Sequence, residues 1–188
     1  SCVNKFCDEL NESKFVHNTV TANEGAGVSL GVGHYLSKKK LSCIYLQNSG
    51  LGNATDPLTN LSNKEVYGIP IILLIGWRGA PSLKDEAQHK IQGRILKTTL
   101  NSYKIKHLEI KNDRDFSKIK KLIEFSKKNS RIVAFLVKPK VFYRNKEIRK
   151  RKENKNMIRR QDLIISLLRM IPKKTKIISS VGFNSREL

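Results

Sequence analysis

Apolar residues recur along the chain at spacings that alternate between two periods. Ile69–Ile75 (IPIILLI) is a continuous apolar run, and Arg131–Val137 (RIVAFLV) is nearly so. Runs of that length predict strands buried on both faces. Leu41–Gln47 (LSCIYLQ) and His107–Ile110 predict further strands, and the β-branched residues of Phe15–Ala22 (FVHNTVTA) predict another. Helical spacing lies between them. Gly25–Leu36 predicts a helix whose buried side holds Val28, Leu30, Val32 and Leu36. Asp85–Ser102 predicts a second, with Ile91, Ile95 and Leu100 near one face and Asp85 and Glu86 in a first turn where the helix dipole favours acid. Phe116–Lys127 predicts a third, with Ile119, Leu122 and Ile123 inward, and a short helix is expected over Asp56–Ser62. Strands alternating with helices, several strands apolar throughout, predict an α/β fold: a parallel sheet with helices on both faces. Further on, Asp162–Met170 reads as a helix stopped by Pro172, and Lys176–Val181 as one more strand.

Composition narrows the function classes. The chain has 188 residues, 39% of them hydrophobic, which is enough for one core. No apolar run approaches the roughly 20 residues that span a bilayer, so no membrane partner is expected. Cys2, Cys7 and Cys43 are an odd set without metal spacing; free buried thiols in a reducing cytoplasm are the expectation. The formal net charge of +21 invites a nucleic-acid reading. The basic residues are mostly Lys and scattered, however. One stretch is dense, Lys138–Arg160, where only Glu147 and Glu153 oppose the charge. Such a run is usually a solvated linker or exposed helix, so nucleic acid is not the expected partner.

Ligands of parallel sheets gather at the carboxyl ends of strands, and three such ends carry suggestive residues. Glu24 and Gly25 stand at a strand-to-helix junction, where an acid is ordinarily a partner of the helix dipole. Gln47-Asn48-Ser49-Gly50-Leu51-Gly52-Asn53 is either a plain tight turn or a polar cradle of backbone N–H groups. Trp77, Arg78 and His89 follow the most apolar strand and look together like a pocket wall, although each alone would more often be structural.

In combination the strings TANEGAGVSLGVGHYL, YLQNSGLGNATDPLTNL, YGIPIILLIGWRGAPSLKDEAQHKIQGRI and SSVGFNSREL resemble the phosphonopyruvate decarboxylase family, a close relative of sulfopyruvate decarboxylase. The likeness runs from residue 1 to about 100 and returns over Met157–Leu188. It implies decarboxylation of 3-phosphonopyruvate to phosphonoacetaldehyde and CO2, with thiamine diphosphate and Mg2+ as cofactors. It also implies a domain organisation: residues 1–137 as a pyrimidine-binding domain with Ser1–Leu10 as its clipped first helix, 138–175 as a basic linker plus helix, and 176–188 as the first strand and turn of a diphosphate-binding domain. The metal site would lie in that second domain, outside this sequence.

The resemblance assigns roles residue by residue. Glu24 is the catalytic acid that shares a proton with the aminopyrimidine ring, and Gly25, Ser49 and Gly50 line the cofactor. Gly182 and Ser185 face the diphosphate, although Val181 and Phe183 stand where the family commonly has threonine and lysine. Asn48 is expected to hydrogen-bond the substrate, and His89 to donate to the phosphonate or relay a proton. Arg78 is expected either to offer charge to the anionic keto acid or to form a salt bridge nearby. A homodimer or larger homo-oligomer in the cytoplasm is implied. Two other readings stand beside it: the same fold acting on sulfopyruvate, and a basic nucleic-acid-binding module using Lys138–Arg160.

Overall fold

The computed structural model describes residues 17–139 together with Leu10, Val141, Ile165, Ser166, Arg169 and Met170. The chain divides into two compact units, 1–145 and 146–188. In the second, the described residues Ile165, Ser166, Arg169 and Met170 are helical. Cys2, Cys7, the helix proposed for Ser1–Leu10 apart from Leu10 itself, most of the basic segment, and Gly182 and Ser185 lie outside the described residues.

The first unit is an α/β layer structure. Helix α1 (Glu24–Lys38) precedes strand β1 (Ser42–Gln47), which runs into a 3-10 turn at Asn48–Leu51 and a π-helical turn at Pro57–Leu61. Strand β2 (Ile71–Gly76) leads to helix α2 (Ala87–Ser102) and strand β3 (Lys106–Ile110), then helix α3 (Phe116–Asn129) and strand β4 (Val133–Val137). The four strands pair in the order β1-β2-β4-β3, all parallel.

The apolar runs occupy the middle of this sheet, as their composition requires. Every residue of β4 is buried, and so is all of β2 except Ile72. One face packs Leu46, Leu73 and Ile75 against α1 and α2. The other packs Leu74, Val133 and Phe135 against Ile119, Leu122 and Ile123 of α3. Burying both faces is what permits strands with no polar alternation.

Local expectations fail at five places. Residues 17–22 form no strand, and Val20 is 86% exposed. β-Branched residues favour a strand only where a ladder partner and a packed face exist. Helix α1 buries Val28 and Val32 but exposes Leu30 and Leu36. Its contact face is made by Gly27 and Gly31 instead: a Cβ at Gly31 would come within 3.2 Å of both Ile44 and Ser42, so the missing side chains let the helix sit close on β1. Helix α2 turns Ile91 and Ile95 outward and buries Gly93, Leu96 and Leu100, the stripe at i, i+3 and i+7. Asp85 and Glu86 precede α2 rather than lying in its first turn. Finally, Cys43 reaches the surface of the edge strand rather than lying in the core, although the protein packed around its thiol pushes its pKa up to about 11. Among the described residues no helix is long and apolar enough to cross a membrane.

Candidate functional site

Two strand tips are level with one another. The β1–β2 register pairs Gln47 with Gly76, so the residues that leave β1 and β2 start side by side. Asn48 and Arg78 use that proximity. The Asn48 Nδ2 donates to the Arg78 carbonyl at 2.9 Å, and the Arg78 backbone N–H donates to Asn48 Oδ1 at 3.0 Å. Asn48 is 5% exposed, and this pairing is what makes a buried amide tolerable there.

The Arg78 guanidinium continues the network. Its Nε donates to Asp85 Oδ2 at 2.8 Å and its Nη2 to Asp85 Oδ1 at 2.5 Å. Asp85 also accepts the N–H groups of Gly79 (2.7 Å) and Glu86 (2.8 Å). The Arg78 hydrogen bonds, opposed by desolvation and supported by the two backbone donors, hold the Asp85 carboxyl well below the usual carboxylate range. Stability from a lowered acid is complete above its unfolded pKa of about 3.9 and is lost as pH falls through the folded value. Asp85→Asn is therefore expected to melt below the wild type at pH 7. The gap should narrow progressively below about pH 4. Thermal melts of both proteins across pH check this, and a gap that stays constant to pH 2 would show that the carboxylate charge is not what counts.

The third component is Glu24. Helix α1 runs opposite to the strands, so its first residue arrives at their carboxyl ends. Asn23 caps it, its Oδ1 accepting from the Ala26 N–H at 2.9 Å, which fixes where the helix begins. The half-buried Glu24 side chain lies against Gly50: a Cβ added there would overlap its Oε1, Cδ and Cγ. Glu24 Oε2 accepts from Asn53 Nδ2 at 2.8 Å. Gly25 packs reciprocally, since a Cβ there would stand 2.6 Å from the Asn53 carbonyl oxygen. The helix start and the 48–53 turn thus meet through two glycines, with a carboxylate held between them. Ser49 completes the turn by accepting from Gln47 Nε2 at 2.9 Å.

Of the residues singled out in the sequence, Glu24, Gly25, Asn48, Ser49, Gly50 and Arg78 therefore come together at one end of the sheet. Arg78 takes the salt-bridge arm of its two readings, and the Asn48 amide is engaged with backbone. His89 stands in the first turn of α2, with its carbonyl directly against Gly79. Trp77 is no pocket wall. It is 3% exposed, and its Nε1 donates to the Gly93 carbonyl at 2.8 Å inside the core. Asn53 and Asp85 were missed as site components. Asn53 closes the same glycine-bearing string, which is a usable signal; Asp85 reads from sequence as an acid beside a helix start, and only the fold brings Arg78 to it.

The donor set fits an aminopyrimidine ring better than a metal. No group of metal-ligating side chains occurs among the described residues. A single acid, directed by an amide and standing over a glycine where a Cβ would leave no room, is instead suited to meet a flat heterocycle through one ring nitrogen.

Residues 1–100 match the family described as thiamine pyrophosphate enzyme, N-terminal TPP binding domain. A phosphonopyruvate decarboxylase of Streptomyces viridochromogenes is 46% identical over 77 residues, and one of Streptomyces hygroscopicus is 44% identical over 77. Each alignment covers 41% of this chain and 18% of the relative, so the match spans under a fifth of those proteins' length.

Proposed function

Because the chain belongs to the thiamine pyrophosphate enzyme N-terminal TPP binding domain family, we propose that it carries the pyrimidine-activating half of a phosphonopyruvate decarboxylase. The reaction converts 3-phosphonopyruvate to phosphonoacetaldehyde and CO2, a step of phosphonate biosynthesis. The observation that carries this reading is the Glu24 carboxylate, seated over Gly50 and hydrogen-bonded by Asn53 at the carboxyl end of the sheet.

When bound, thiamine diphosphate supplies an electron sink for the pair left behind as CO2 departs. This chain's part is proton handling and positioning. Glu24 holds the proton shared with the ring nitrogen N1′, and Gly25, Ser49 and Gly50 border the ring. Asn48 presents its remaining amide N–H to the keto acid, and His89 serves the phosphonate. Arg78, balanced by Asp85, contributes by fixing the turn that carries Asn48. Gly182 and Ser185 would face the diphosphate, and Mg2+ would supply positive charge to offset it. The working protein is a cytoplasmic homodimer or larger homo-oligomer.

The direct test follows phosphorus NMR spectra of the complete protein incubated with 3-phosphonopyruvate, thiamine diphosphate and Mg2+. Phosphonoacetaldehyde should appear, and CO2 release from sulfopyruvate, which carries no phosphorus and is followed by CO2 alone, should be slower at equal concentration. Preference for sulfopyruvate would transfer the assignment to that substrate, and no CO2 from either would refute it.

The same geometry sets a second expectation. Gly50→Ala should fold with nearly normal stability, because the atoms in the way belong to the end of a flexible side chain. It should nonetheless lose about tenfold or more in turnover, because the Glu24 carboxyl has to swing off the turn. A melt alongside a rate measurement separates the two effects.

A further inference from the structure

We propose that Asn53 is a positioning residue for Glu24, and that it decides which carboxyl oxygen carries the proton. This rests on the reading of Glu24 as the proton-handling acid. The Asn53 Nδ2 donates to Oε2 at 2.8 Å, while Oε1 is the oxygen turned over Gly50. An oxygen that already accepts an amide N–H is the poorer place for a proton, because protonation weakens the bond it accepts. The proton therefore belongs on Oε1, on the side of the glycine-bearing turn.

The reach of Asn53 is fixed from behind. Its own carbonyl is seated against Gly25, and the next residue, Ala54, is fully buried, with its N–H bonded to the carbonyls of Gly50 and Leu51. One short turn thus supplies both the amide that directs the carboxyl and the glycine that makes room for it. Without the amide, the Glu24 side chain keeps its place at the helix start but is free to exchange its two oxygens by rotation about the last side-chain bond.

Two measurements test this. In the 188-residue chain without cofactor, the side-chain amide signals of Asn53 in a nitrogen–proton NMR spectrum should be widely split. They should collapse toward free-amide positions in Glu24→Ala. In the complete protein loaded with thiamine diphosphate, hydrogen–deuterium exchange at the thiazolium carbon should slow about tenfold in Asn53→Ala, the factor of one ordinary hydrogen bond. Substrate KM should be unchanged, and Asn53→Gln should recover part of the loss. Exchange that is as fast in Asn53→Ala as in the wild type, or Asn53 signals indifferent to Glu24→Ala, would overturn the proposal. Glu24→Gln in the same exchange assay separates the two levels. If it abolishes exchange while Asn53→Ala exchanges as fast as the wild type, only the role of Asn53 falls; if it leaves exchange untouched, the reading of Glu24 falls with it.

Discussion

Glu24→Gln is expected to lower turnover of the complete protein by ~10²-fold or more, the usual contribution of a positioned proton-transfer group. It should leave the melting temperature nearly unchanged. The substitution keeps the length and planarity of the side chain. Its amide oxygen can still accept from Asn53 Nδ2, and the group still fits over Gly50, where no Cβ competes. What the amide cannot do is take up and return a proton. Loss of rate without loss of fold is thus the signature of the acid, and measuring single-turnover rates beside thermal melts resolves it. Wild-type turnover in the variant would remove the chemical role assigned to this carboxyl. A parallel collapse of stability would make Glu24 a packing residue.

Gly93→Ala is expected to destabilise the domain by about 1–3 kcal/mol net, in the direction opposite to helix propensity. Propensity alone favours the change by ~1 kcal/mol, since Ala is the better residue in a helix interior. Packing reverses the sign. A Cβ at Gly93 would fall on the Gly79 carbonyl group and 2.6 Å from the Arg78 oxygen. Those atoms are backbone and cannot rotate aside, so α2 has to lift away. Overpacking of this kind costs typically ~1–3 kcal/mol. Lifting α2 also removes the bond from Trp77 Nε1 to the Gly93 carbonyl, worth ~1 kcal/mol. It further loosens Gly79, which holds a positive φ of 65° with its N–H on Asp85. Urea titration of both proteins measures the difference. A more stable variant would mean that the close approach of α2 to the Arg78–Gly79 turn is not real.

The elements most legible in the sequence were those whose environment is uniform. Strands β2 and β4 are buried on both faces, so their apolar runs announced them. The start of α1 was legible to within one residue, because small and apolar residues at helical spacing begin at Gly25, directly after the acid Glu24. Where two surfaces compete, pattern alone misled. In α2 the pair Ile91 and Ile95 has the right spacing for a core face, but the helix sits on the sheet through Gly93, which has no side chain to count. In α1 the same happened with Leu30 and Leu36 against Gly27 and Gly31. A glycine-made contact shifts the buried stripe without leaving a hydrophobic mark.

The site divided along similar lines. Glu24, Asn48 and Gly50 lay in recognisable strings, so the end of the sheet to examine was known. Their partners were not. The Asn48–Arg78 pair joins residues that the ladder register brings together, the Arg78–Asp85 pair depends on how the loop after β2 folds back, and the Glu24–Asn53 bond spans 29 positions of chain. Trp77 looked functional because aromatic rings are prominent in pockets, yet its N–H found a carbonyl inside the core and its ring went with it.

The pairing of Gln47 with Gly76 has an implication for which length changes the gene can absorb. The exposed stretch 64–67, on the long excursion between the two strands, can gain or lose a residue with the surface taking up the slack. Deleting one residue inside Ser42–Gln47 would be different in kind. Every later side chain of that strand would point the opposite way. Asn48 would then lose Arg78, and the glycine opposite Glu24 would be carried out of reach. Insertions and deletions among homologues should accordingly cluster in the excursion and spare the six-residue strand.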